Sequence, residues 1–102
     1  MENILITGAK GQLGSELKVL SQKNPSYNYY FTDIEELDIT SAEAIENFVT
    51  ANNITKIINC AAYNDVNGAE SNFDEAVRLN VTAVASLAEC AARHDIYLIH
   101  FS

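Results

Sequence analysis

Basic residues are scarce in this chain. Six Lys and Arg stand against 14 Asp and Glu, giving a formal charge of −8 and a pI near 4.4. A nucleic-acid binder draws its affinity from a basic footprint on phosphates, so no nucleic-acid partner is expected. A small anion held by backbone amides remains compatible with this surface. Long apolar runs are missing too: no stretch of 18 apolar residues occurs, and no membrane span is expected. The N-terminus has no basic region leading into a long apolar stretch, so no signal peptide and a cytoplasmic location are expected. Cysteine is limited to Cys60 and Cys90, both inside apolar segments. With no second Cys or His read at metal spacing, both are expected to be reduced core thiols. His94 and His100 are expected to be surface or packed side chains, and no metal site is expected. Repeats, low-complexity tracts and linkers are absent, and 102 residues with 48% hydrophobic content suit one domain.

What is present alternates in period. Residues 3–7 (NILIT) form an apolar run that ends at Gly8 and suits a buried strand. Residues 12–22 follow with Leu13, Leu17 and Leu20 at helical spacing, and Asn24-Pro25-Ser26 closes the segment. The aromatic run at 27–32 (YNYYFT) predicts a second strand. Ser41 is placed to cap a helix over 42–52, whose apolar face is Ile45, Phe48 and Val49. Residues 56–60 (KIINC) read as a strand, and 61–72 as a loop with room for one helical turn. A long helix is predicted over 73–93, with Ala76, Val77, Asn80, Val81, Val84, Leu87, Ala88 and Ala91 recurring at threes and fours. Residues 96–101 (IYLIHF) complete a βαβαβαβ order, which predicts an α/β, doubly wound parallel sheet of Rossmann type.

The turn after the first strand is the most informative stretch. Gly8, Gly11 and Gly14 lie between a predicted strand and a predicted helix, with no acid from Gly8 to Ser15. In that setting the first glycine permits a tight turn, the second lets a ligand approach the backbone, and the third lets the helix pack on the strand. A helix start without an acidic or hydroxyl cap offers free N–H groups and the positive end of the dipole. A pyrophosphate satisfies both. A glycine turn can also join a strand to a helix with no ligand. Asp33, nineteen positions beyond Gly14 and just after the second strand, fits an acid that hydrogen-bonds the ribose hydroxyls of an adenosine and favours NAD over NADP. Its other reading is a helix cap or an exposed loop acid. No Gly-Lys-Ser/Thr follows, so the turn is not a P-loop.

The spacing TGxxGxxG at residues 7–14 resembles the extended short-chain dehydrogenases/reductases, and ITGAKGQLGSEL is similar to the dTDP-4-dehydrorhamnose reductase family among them. ELDITS (36–41), IINCAAYNDVNGAES (57–71), LNVTAVASLAECA (79–91) and LIHFS (98–102) resemble further segments of that family in the same order. The resemblance implies an oxidoreductase that uses NAD(P)H to reduce a 4-keto sugar nucleotide to dTDP-L-rhamnose. It implies that Gly8, Lys10, Gly11, Gln12, Leu13 and Gly14 surround the pyrophosphate and that Asp33 holds the adenosine ribose. Asp38 and Ile39 would flank the adenine, and Ala61, Ala62 and Tyr63 would line the cofactor beyond the third strand. Asn80 matches an asparagine that helps order the active-site region, or else bonds neighbouring backbone within a packed helix.

Two departures stand out. Where the family has Y-T-A-V-D-K-A-E, residues 63–70 read YNDVNGAE, with an added carboxylate and no lysine. That change should weaken attraction for a diphosphate-bearing sugar, the dTDP-sugar partner that the resemblance implies. The family's Tyr-x-x-x-Lys pair does not occur in these 102 residues, so no catalytic residue of that pair is expected here. The expectation is therefore the N-terminal, cofactor-binding part of a longer enzyme, inactive alone, with the catalytic and sugar-binding part absent. A non-catalytic NAD(H)-binding or regulatory module and a sugar-nucleotide epimerase remain as alternatives. A sheet edge left open by the last strand could pair with a second copy, making a homo-oligomer.

Overall fold

Ile4, Leu5 and Ile6 put apolar side chains on both faces of one strand, which suits only the interior of a covered sheet. The computed structural model, which describes residues 2–60 and 69–101 with the side chains of 2–60 and 80–101, places this strand there. The order is β1 (Asn3–Thr7), α1 (Gln12–Ser21), β2 (Asn28–Phe31), α2 (Ala42–Ala51), β3 (Lys56–Asn59), α3 (Ala69–Arg93) and β4 (Tyr97–His100). All pairings are parallel, in the sheet order β2-β1-β3-β4. The doubly wound Rossmann-type arrangement expected from the alternating periods is therefore the one observed.

Register decides which side chains share a face. Tyr30, Leu5, Ile57 and Leu98 align across the sheet. They meet Ile45 and Val49 of α2, and Ala83, Leu87, Cys90 and Ala91 of α3. Each Leu or Ile fully buried there contributes about 1.5–3 kcal/mol. The opposite face carries Phe31, Ile6 and Ile58 in register. There α1 crosses β2, with Lys18 Nζ 6.0 Å from the Phe31 ring centroid. β4 is the sheet's edge, and Tyr97, Ile99 and Phe101 are exposed along it.

Some expectations need correction. Leu20, expected on the buried stripe of α1, is 51% exposed, and the buried residue of that helix is Gly14. Leu13 and Leu17 are half-buried as the stripe requires, and close contact of Gly14 with the preceding turn seats the start of α1. The long helix begins at Ala69, four residues before the expected 73, because 69–72 (AESN) hold no breaker. In its described part the buried stripe is Ala83, Leu87, Cys90 and Ala91, while Val81 and Ala88 face outward. Val81 lies two residues from Ala83, about 200° around the helix, so it cannot share that face. Cys60 is only half-buried. Cys90 is buried as expected, but it stands one turn before His94, so the reading that no His lies at ligand spacing does not hold.

Helix ends also set the strands. Ser41 Oγ accepts from the Ala44 N–H at 3.2 Å, the cap expected for α2. α2 and α3 finish alike, each with a residue at positive φ, Asn53 (51°) and Asp95 (54°). The N–H of Ile54 donates to Val49 O at 3.1 Å and that of Ile96 to Ala91 O at 2.8 Å. These are Schellman closures, and each drops an isoleucine into the core just before a strand starts.

Candidate cofactor site

The glycine turn lies at the carboxyl end of β1. Gly8 has φ 69°, a left-handed conformation that favours glycine. Gly11 caps α1 in an extended conformation with no side-chain hydrogen bond, and the first turn contains no acid. The helix start is thus as bare as its sequence predicts.

The other two glycines differ in what requires them. A Cβ on Gly14 would sit 2.6 Å from Ala9 Cα and 2.7 Å from the carbonyl oxygens of Ala9 and Gly8. Backbone cannot swing away, so the contact of α1 with the turn demands glycine there. A Cβ on Gly11 would meet only Gly8 O, at 3.4 Å, an ordinary contact, and φ is −74°. Among the described residues nothing requires glycine at 11. A group approaching from outside would, so the cradle fits a pyrophosphate.

The turn is strapped to the end of β2. The Ala9 N–H donates to Thr32 O at 2.9 Å, and the Lys10 N–H donates to Asp33 Oδ2 at 3.1 Å. Asp33 Oδ1 accepts from the Ile34 N–H at 2.8 Å, and its carbonyl accepts from Glu36 and Leu37. Asp33 therefore orders its own loop and also stands beside the glycine turn. The Lys10 ammonium pairs with Glu35, which raises its pKa. Both groups are well exposed, so this pair adds little stability.

The structure divides the remaining candidates. Gln12 is exposed and Leu13 half-buried at the start of α1. Asp38 Oδ1 accepts from the N–H and the hydroxyl of Thr40, closing the turn before α2. Ile39 is 6% exposed and belongs to the core, so only its backbone is left to meet an adenine. Ala61, Ala62 and Tyr63 lie outside the described residues, as does the altered segment 64–68. Asn80 is half-buried on α3.

Asn59 was not singled out by sequence reasoning. It is 1% exposed at the end of β3, where it accepts from the Thr7 hydroxyl at 2.6 Å. Its Nδ2 lies 2.9 Å from His100 Nδ1. A polar line thus runs across the carboxyl ends of β1, β3 and β4, the edge where open α/β sheets bind ligands. The available signal was an asparagine within the apolar run KIINC. Among the described residues no helix is long and apolar enough to cross a membrane.

Comparison with known proteins agrees with this geometry. The family model described as "RmlD substrate binding domain" matches residues 1–102. A dTDP-4-dehydrorhamnose reductase from Aggregatibacter actinomycetemcomitans is 40% identical over 102 residues, 100% of this chain and 35% of that protein. One from Mycobacterium tuberculosis is 41% identical over 101 residues, 99% of this chain and 32% of that protein. The crystal structure of dTDP-4-dehydrorhamnose reductase from Bacillus anthracis in complex with NADP superposes with a TM-score of 0.84 at 33% identity, covering 96% of this chain and 35% of that one. The chain spans about a third of the length of these relatives.

Proposed function

Since the chain belongs to the family described as the RmlD substrate binding domain, we propose that residues 1–102 form the NAD(P)H-binding portion of a dTDP-4-dehydrorhamnose reductase. The whole enzyme would reduce the 4-keto group of a dTDP-sugar to give dTDP-L-rhamnose. The observation that carries this reading is Gly11. Its missing side chain serves no contact among the described residues, yet it lies at the uncapped start of α1. Backbone N–H groups and the helix dipole there would hold the pyrophosphate. Asp33, beside the same turn, would accept from the ribose hydroxyls. A carboxylate in that place repels a 2′-phosphate, so NADH is the favoured form.

Bound nicotinamide would supply the hydride. The residues of this chain orient the dinucleotide, while the proton for the ketone oxygen comes from elsewhere. No Tyr-x-x-x-Lys occurs in these residues, so the 102-residue chain alone is expected to be inactive as a reductase.

Calorimetric titration with NADH and NADPH tests this reading. One saturable site is expected, tighter for NADH, and lost in Gly11→Asp with the melting temperature little changed. Absence of saturable binding to the folded wild-type protein overturns it.

A further inference from the structure

Away from the glycine turn, three titratable side chains converge at the seam between α2 and α3. Cys90 lies in the last turn of α3, and His94 follows directly after the helix, its N–H donating to Cys90 O at 3.1 Å, so the two side chains share one side. Glu46 reaches them from α2. The Cys90 thiol donates to Glu46 Oε2 at 3.4 Å, and His94 Nε2 lies 2.6 Å from Glu46 Oε1. One ligand atom from each residue lies within 4.8 Å of the others. Cys90 is 1% exposed, while the side chains of His94 and Glu46 are 33% and 36% exposed. The cluster therefore has a buried sulfur at its floor and opens to solvent on one side.

We propose that Glu46, Cys90 and His94 form a zinc site, with water completing a tetrahedron on the open side. One sulfur, one imidazole nitrogen and one carboxylate oxygen make a borderline-soft donor set that suits zinc better than magnesium or calcium. Atoms bound to zinc at about 2.0–2.3 Å in a tetrahedron lie about 3.3–3.7 Å apart. The cluster reaches that geometry by adjustments of about 1 Å or less, the widest separation closing from at most 4.8 Å and the His94–Glu46 pair opening from 2.6 Å, within the range of side-chain rotation. The thiol proton leaves to solvent, and thiolate plus carboxylate then balance the two positive charges of the ion.

Arg93 is the evident competitor. Its Nη2 lies 2.8 Å from Glu46 Oε2, and its Nη1 lies 2.9 Å from Glu89. The two carboxylate oxygens divide the work: Oε1, now facing His94, takes the metal, while Oε2 keeps Arg93 as an outer partner that fixes the carboxylate. An ion held this way ties α2 to α3 through three side chains.

Cobalt(II) is the probe for this site. Chelator-treated protein is titrated with cobalt(II) alone, and the absorption spectrum is followed. One equivalent should give the visible bands of a tetrahedral site and a near-ultraviolet thiolate-to-metal band, both discharged by zinc. The thiolate band should persist in Cys60→Ser and vanish in Cys90→Ser. His94→Ala, at a more exposed position, is the variant that does not depend on core packing. It should lower cobalt affinity roughly tenfold or more, with the circular dichroism spectrum unchanged. Folded wild-type protein without a thiolate band, a band that survives Cys90→Ser, or a His94→Ala variant of unchanged affinity each overturns the proposal.

Discussion

The Thr7 hydroxyl donates to the side-chain oxygen of Asn59 at 2.6 Å, with both residues 1% exposed. These are the last residues of β1 and β3, and they are direct partners in the sheet register. The backbone repeats the link, since the Cys60 N–H donates to Thr7 O at 3.0 Å. The glycine turn leaves β1 at this point, so the bond fixes the platform on which that turn stands.

A buried amide that loses a partner loses stability, because water cannot replace it. Thr7→Val keeps the shape and removes the donor, and should cost about 1–3 kcal/mol. Thr7→Ser keeps the hydroxyl and should recover most of that loss. Urea denaturation of the two variants checks this: equal midpoints would show that the hydroxyl contributes nothing.

The two glycines flanking the start of α1 should separate stability from binding. Gly14→Ala drives a methyl into backbone at 2.6–2.7 Å. Overpacking of that kind costs about 1–3 kcal/mol, more than the ~1 kcal/mol that alanine gains over glycine inside a helix. The variant should unfold earlier and bind NADH poorly. Gly11→Ala meets only an ordinary contact, so its stability should stay within about 0.5 kcal/mol while NADH affinity falls. Melting curves and calorimetry on both variants decide the matter, and a Gly11→Ala variant with unchanged affinity would contradict the cradle.

Asn53 ends α2 at φ 51°. A left-handed conformation costs an ordinary residue about 1–2 kcal/mol, and Asn and Gly pay less. Asn53→Ala should therefore destabilise by about 1 kcal/mol, while Asn53→Gly should match or exceed the wild type in thermal denaturation. Equal losses in both would mean that the side chain, not the backbone, matters at this position.

How far the sequence specified all this depends on how local each signal is. The strand, the glycine turn and the bare helix start were legible because their physics lies within a dozen consecutive residues. Ser41 as a cap was legible for the same reason. The closures at Asn53 and Asp95 were not, because Asn and Asp at helix ends look like loop residues until an isoleucine is seen to drop into the core. Asn59 was hidden because its partners Thr7 and His100 lie 52 and 41 residues away. The Cys90–His94 spacing was in plain view, but Glu46, which gives it meaning, comes from another helix. The buried stripe of α3 was misplaced around Val81 because spacing alone cannot tell which of two overlapping apolar faces the sheet will cover.

One pH effect follows from the ion pair between Glu2 and Lys56, 3.0 Å apart across the starts of β1 and β3. The hydrogen bond from Lys56, together with its charge, lowers the Glu2 pKa from its ordinary 4.5. A depressed carboxylate pKa adds stability that is fully present above 4.5 and disappears as pH falls through the lower folded value. The same pair raises the Lys56 pKa above 10.5, so its contribution is present below that value and lost as pH rises beyond it. Glu2→Gln should accordingly melt slightly below the wild type between about pH 6 and 9. The two melting temperatures should converge only as pH falls through the depressed folded value and the wild-type carboxylate takes up its proton. Both groups are partly exposed, so the gap should also shrink in high salt. A gap of constant size across the whole pH range would mean that Glu2 acts by packing rather than by charge.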